Sequence, residues 1–277
     1  MLGTVMRSTR RAPVRAVLAL AVAMLVLAGC WPSVGTRFAE PGPSGAVSTR
    51  IDAAHTYYRP SNLGSSNRKH PVILWGNGTF LDPSAYDAYL RHLASHGFIV
   101  AAANTTNAGS GQEMLAGLDN LTAFNSDPAS PFYNKVDLTR VGVTGHSQGG
   151  GGAIRAGLDP RVDTVVVQEA GGSSDVAGPV LYLAGTDDTT VAPARVKSAY
   201  QAQPGPAAYG SLAGATHVSP IVNGNEFRGP VTAWFRWQLM GDKVARDQFV
   251  GPCAYCGAPA FTEYQANAAL QALYPPP

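Results

Sequence analysis

Charge is scarce in this chain of 277 residues: Asp, Glu, Lys and Arg make up 14% of it, well under the usual quarter. Such a chain, 45% hydrophobic, is excluded from the highly charged disordered class. A basic excess is missing as well. The net charge of +2 traces to Arg7, Arg10, Arg11 and Arg15, and the remainder from residue 30 holds 16 basic against 18 acidic residues. A slightly acidic body lacks the footprint of a nucleic-acid binder, so no nucleic-acid partner is expected. His, Asp and Glu are nowhere grouped at ligand spacing, and no G-x-G-x-x-G follows a strand-like run. Neither a metal nor a cofactor is therefore expected.

A membrane-spanning run is also lacking. The apolar run Ala16 to Gly29 has 14 residues, short of the roughly 20 needed to cross a bilayer core. Behind four arginines it reads as an export signal, residues 1–29. The run ends Leu27-Ala28-Gly29-Cys30, which resembles the lipobox of bacterial lipoproteins, where a Cys accepts the lipid. The other two cysteines are Cys253 and Cys256, so lipidation of Cys30 would leave an even pair. An exported protein anchored at the outer face of the cell membrane is expected. Residues 30–47, rich in Pro, Gly and Ser, read as a flexible tether, and 48–277 as one domain.

Within that domain, short apolar runs alternate with helical patterns. Val72 to Trp75, Phe98 to Ala101, Val141 to Thr144, Val162 to Val167 and Val180 to Leu183 read as buried strands. Asp82-Pro83 reads as the start of a helix carrying Tyr86, Leu90 and Leu93 on one face and stopping at Gly97. Continuous buried strands separated by helices predict an α/β fold, with a mostly parallel central sheet flanked by helices.

The chemistry centres on Gly145-His146-Ser147-Gln148-Gly149, a G-x-S-x-G nucleophile elbow. Composition alone would produce roughly 0.2 such matches, so context decides. A strand-like RVGVT precedes it and a Gly-rich helix start follows, as the elbow requires. The chain order Ser, acid, His leaves His217 as the one histidine after the elbow. The acid is Asp188 or, second, its neighbour Asp187; both follow the strand ending near Ala184, at the carboxyl ends of the strands, where active groups gather.

LASHGFIV (Leu93 to Val100), NTT (Asn104 to Thr106), SPFYNKVDLTRVGVTGHSQGGGGA (Ser130 to Ala153), GATH (Gly214 to His217) and AWFRWQLMGD (Ala233 to Asp242) stand in order along the chain. Together they resemble the bacterial cutinase-like polyester hydrolases. The resemblance implies an α/β-hydrolase fold without a lid domain and serine-dependent hydrolysis of carboxylic esters, with Ser147 and His217 at the matching positions. Two departures stand out. The aromatic residue of the family's oxyanion loop is replaced by Thr79, and its tryptophan after the strand following the elbow helix is missing from QEAGGSSD, where Gly171 or Gly172 takes its place. Small or aliphatic esters are accordingly expected over aromatic polyesters.

In the mechanism this implies, Ser147 attacks the ester, His217 takes its proton, Asp188 orients the imidazole, and the backbone N–H groups of Thr79 and Gln148 receive the oxyanion. Cys253 and Cys256 are expected to form a local disulfide, as suits an exported protein. Val231, Trp234 or Phe235, and Leu239 keep helical spacing and read as core. The partners expected are an ester substrate, small or polymeric, and the membrane through Cys30, with the protein a monomer. Two other classes stay open: an acyltransferase on the same fold, and a catalytically silent lipoprotein that binds a surface ligand.

Overall fold

The expected apolar runs become the middle of one sheet. The computed structural model describes residues 37–50, 52–172 and 175–274. The export signal, Cys30 and the first part of the tether lie outside the described residues. In chain order the strands are β1 (Ala46–Thr49), β2 (His55–Pro60), β3 (His70–Gly76), β4 (Ile99–Ala103), β5 (Val136–His146), β6 (Thr164–Gln168), β7 (Val180–Gly185), β8 (Ala207–Leu212) and β9 (Phe261–Ala266). The helices are α1 (Asp87–Ser95), α2 (Gln112–Ser126), α3 (Gln148–Ala156), α4 (Pro193–Gln201), α5 (Asn225–Met240), α6 (Lys243–Arg246) and α7 (Ala268–Leu273). Strand order is β1-β2-β4-β3-β5-β6-β7-β8-β9. The six strands from β4 to β8 run parallel. β1, β2 and β9 extend the two edges antiparallel. This is the α/β architecture that the buried runs imply.

Strand alternation splits the interior into two cores. Ile73 and Trp75 of β3 pack with Leu90, Trp234 and Phe235 on one face. Val72 and Leu74 pack with Leu118, Val143 and Ile154 on the other. Asp82 caps the turn into α1, its carboxylate accepting from the Ser84 N–H at 2.8 Å, with Pro83 next in the turn, where its missing N–H costs nothing. Trp234 and Phe235 are buried on α5, the helix their spacing predicts.

The described part of the tether differs from expectation. Residues 37–47 lie against the domain instead of standing off it. Phe38 is buried in the first core, and its carbonyl accepts from His92 Nε2 at 3.0 Å. His96 Nε2 donates to the Glu40 carbonyl at 3.0 Å, and the Gly42 N–H donates to Ser95 Oγ at 2.8 Å. Pro- and Gly-rich composition signals irregular backbone, but one buried aromatic and hydrogen bonds to α1 and to His96 just beyond it dock it. The Cys253–Cys256 disulfide is formed, with Cα atoms 5.3 Å apart. Among the described residues no helix is long and apolar enough to cross a membrane.

Candidate active site

Ser147 sits between the end of β5 and the start of α3, with φ 55 and ψ −116. A left-handed φ is costly for a non-glycine residue, and neighbouring glycines make the turn possible. A Cβ at Gly149 would collide with the Gly76 carbonyl, and one at Gly145 would run into the Gly149 backbone. These contacts press the elbow against the end of β3. The Ser147 N–H is held by the Gln168 carbonyl at 2.9 Å, so the strained turn is tied to β6 as well.

Ser147 Oγ lies 3.0 Å from His217 Nε2, and Asp188 Oδ2 lies 2.8 Å from His217 Nδ1. An ionised carboxylate only accepts, so Nδ1 carries the proton and the Nε2 lone pair faces the serine hydroxyl. The second Asp188 oxygen accepts from the Thr190 and Val191 N–H groups at 2.7 and 2.8 Å. Asp187 instead takes a bond from the neighbouring Thr186 hydroxyl at 3.1 Å, and its own N–H is spent on the Ala215 carbonyl. The structure thus brings Ser147, His217 and Asp188 together and leaves Asp187 outside.

A second set of bonds, which the sequence reading missed, holds the surrounding loops. His146 Nε2 lies 2.8 Å from the His217 carbonyl and must donate to it. Its Nδ1 is therefore the acceptor for the Tyr86 hydroxyl at 2.7 Å, and that hydroxyl accepts from the Gly78 N–H at 3.1 Å. One chain of bonds thereby joins the β3 loop, the elbow and the histidine loop. Burial, then the neighbouring His217, pushes the His146 pKa down to about 4, so the ring stays in the neutral tautomer this chain needs. Asn77 fixes the same loop by donating to the carbonyls of Ala103 and Thr105 at 2.7 and 3.0 Å.

Thr79 lines a cleft of about 330 Å³ with Gly78, Ser147, Thr190, His217 and Ile221. Gln148 opens α3, where the first N–H groups have no partner within the helix. A larger cavity of about 550 Å³ lies against Tyr200, Tyr264 and the disulfide, and none of the three clustered side chains reaches it. Phe80, beside Thr79, is 85% exposed and has φ 66. A Cβ at Gly171, one of the two positions at which the resemblance would put a tryptophan, would come within 2.7 Å of Nε of the exposed Arg195 side chain. Gly172 has φ +113, a conformation that side chains rarely adopt.

His146, Glu169 and His217 place ligand-type atoms within 4.8 Å of one another, a grouping that sequence spacing does not reveal. It does not suit a metal. His146 Nε2 carries a proton, and both His217 nitrogens are engaged by Asp188 and Ser147.

Comparison with known proteins gives this geometry a lineage. The chain is similar to a bis(hydroxyethyl) terephthalate hydrolase of Streptomyces coelicolor, 28% identical over 304 residues that cover 95% of this chain and 93% of that enzyme. It is also similar to two cutinases of Thermobifida alba. Est2 is 28% identical, covering 58% of this chain and 57% of the cutinase, and est1 is 29% identical, covering 58% of each. The alignments to the cutinases thus span little more than half of their length. Residues 41–268, nearly the whole described domain, match the family described as PETase, PET hydrolase-like, and the chain belongs to that family.

Proposed function

We propose that this protein is a serine hydrolase of carboxylic esters in which Ser147 is the nucleophile, His217 the general base and Asp188 the orienting acid. The observation that carries the reading is the pair of distances at His217, 3.0 Å to Ser147 Oγ and 2.8 Å to Asp188 Oδ2, on a strained elbow. Ser147 attacks the ester carbonyl as its proton moves to Nε2, and the imidazolium is stabilised through Nδ1 by Asp188. The N–H groups of Thr79 and Gln148 receive the oxyanion; one such donor is worth about 10²–10³ in rate in a studied case. Collapse expels the alcohol with the proton held by His217, and water then releases the acid.

The substrate class follows from the cleft. It is open, as the short stretch from Gln168 to Pro179 provides no cap, and Thr79 and Gly171 offer no flat aromatic surface beside it. Aliphatic esters should therefore be preferred over aromatic polyesters. Relatives named for terephthalate and cutin chemistry support an ester or polyester substrate. The reading further takes the chain as an exported monomer, anchored by lipid on Cys30. That part rests on the lipobox-like Leu27 to Cys30 and on the closed Cys253–Cys256 pair, which leaves Cys30 over.

Nitrophenyl esters of graded chain length, with a fluorophosphonate as active-serine probe, test the catalytic part. Wild type should hydrolyse the short esters and label at one serine. Ser147→Ala and His217→Ala should each lose nearly all turnover, because the three residues act as a unit. Labelling that persists in Ser147→Ala would defeat the assignment. The mass of the mature N-terminus tests the anchor, and an unmodified terminus other than Cys30 defeats it.

A further inference from the structure

One buried acid beside His217 has no part in the mechanism above. Glu169 directly follows β6, is fully buried, and adopts φ 51. Its N–H continues the sheet onto the Leu183 carbonyl at 2.8 Å, which carries the side chain inward. Oε2 lies 3.4 Å from His146 Nε2 and 3.8 Å from His217 Nδ1. Oε1 rests over Gly185, where a Cβ would come within 2.8 Å of it, so the missing side chain of Gly185 makes its room. Among the described residues neither oxygen has a hydrogen-bond partner. A buried unpaired polar group is costly, and a left-handed backbone adds strain. Both costs fall on a residue that core packing would fill with an apolar side chain.

We propose that Glu169 is a positioning residue, a second acid that shares the Nδ1 edge of His217 with Asp188. The proposal rests on the catalytic reading above and deepens it. Asp188 approaches from the loop after β7 and Glu169 from the end of β6, so two neighbouring strands each offer a carboxyl to one imidazole. Two carboxylates at one edge cannot both ionise cheaply. Burial first, then Asp188 and Glu226, push the Glu169 pKa up to about 9, so at neutral pH Glu169 is protonated. The titratable groups around it are His146 at the end of β5, Asp188, His217, Glu226 on α5 and Tyr86 before α1.

Removing the Asp188 carboxylate removes one of the charges that keep Glu169 neutral. An approach from 3.8 Å to the 2.8 Å that Asp188 now holds would then let an ionised Glu169 accept the Nδ1 proton. The chemistry of the serine is unchanged, and only the acceptor of the imidazole N–H differs.

The test is a cycle of Asp188→Ala, Glu169→Gln and the double variant, read as kcat/KM on a nitrophenyl butyrate from about pH 6 to about pH 10. Alanine is chosen because an asparagine amide can donate to Nδ1 and trap the wrong tautomer. In Asp188→Ala the activity should keep climbing above the ordinary imidazole range as Glu169 ionises. Adding Glu169→Gln should abolish that climb and lower activity at least about tenfold more than it does in wild type. An equal factor in both backgrounds, with no Glu169-dependent climb, overturns the proposal and leaves the catalytic serine and histidine standing. If the double variant fails to fold, the single Asp188→Ala profile still decides: a climb supports the second acid and a plateau overturns it. Wild-type turnover in Ser147→Ala would instead remove the catalytic reading, and the proposal with it.

Discussion

Asp187 and Asp188 are adjacent in sequence, yet they differ in what their oxygens meet. Both oxygens of Asp188 are engaged, one by two backbone N–H groups and the other by His217, so its carboxylate is held rigidly toward the ring. Among the described residues the Asp187 carboxylate is bound only to the Thr186 hydroxyl beside it. Asp188→Asn is expected to reduce kcat by orders of magnitude, about 10⁴ in a studied triad, and Asp187→Asn to leave it within a few-fold. Steady-state kinetics on a short nitrophenyl ester compares them; the reverse order of damage would move the acid to Asp187. The proposed nucleophile and base can be named from sequence because motif and chain order each admit one candidate. Glu169 stood among the acids between Ser147 and His217, but its place depends on how β6 turns its last residue inward. That turn, a non-glycine φ of 51, has no sequence signature.

At the scale of elements, α3 holds four successive glycines after Gln148, and they are not equivalent. A Cβ at Gly149 meets the carbonyls of Gly76 and Asn77, and one at Gly152 meets the Ala108 carbonyl. At Gly151 the nearest group is Arg155 Nη1 at 3.8 Å. Gly151→Ala should therefore stabilise the protein by about 0.5–1 kcal/mol through helix propensity, with activity retained. Gly149→Ala should lower the melting temperature and abolish hydrolysis, since the elbow cannot close on β3. Thermal unfolding alongside ester hydrolysis reads both, and equal effects would show that the close approach is not limiting. The central strands are legible because strands covered on both faces become continuous apolar runs. β9 is not, because its side chains are mostly half-buried without clean alternation. In α2 the period survives in Met114, Leu118 and Leu121, but a glycine and polar neighbours dilute it, and that helix was not among those expected. The docked part of the tether escaped for a related reason: its hold depends on Phe38 and on histidines some 50 residues away.

Across the whole molecule, buried titratable groups set opposing pH limits on stability. Burial pushes His92 down to about 3 and His96 to about 4, with His96 charge adding to the first and Arg236 to the second; His146 lies at about 4. The unfolded histidines, near 6.5, bind protons that the folded ones refuse, so their stability is complete above 6.5 and drains as pH falls toward 4. Glu169 has the opposite sign. Its folded value of about 9 lies above the ordinary carboxylate value of 4.5, so its contribution is present below 4.5 and is lost as pH rises toward 9. The melting temperature should peak between these limbs, and Glu169→Gln should flatten the alkaline limb while leaving the acid one in place. His92 and His96 also hold Phe38 and Glu40 against α1, which makes the acid limb local before it is global. Their protonated forms would be desolvated cations beside each other and beside Arg228 and Arg236, a burial that freeing residues 37–44 relieves. Hydrogen exchange measured at about pH 7 and about pH 5 should show protection lost at 37–44 before it is lost in the sheet. Uniform loss across β3 to β8 would show that the histidines act on the fold as a whole and that the N-terminal segment is held by Phe38 alone.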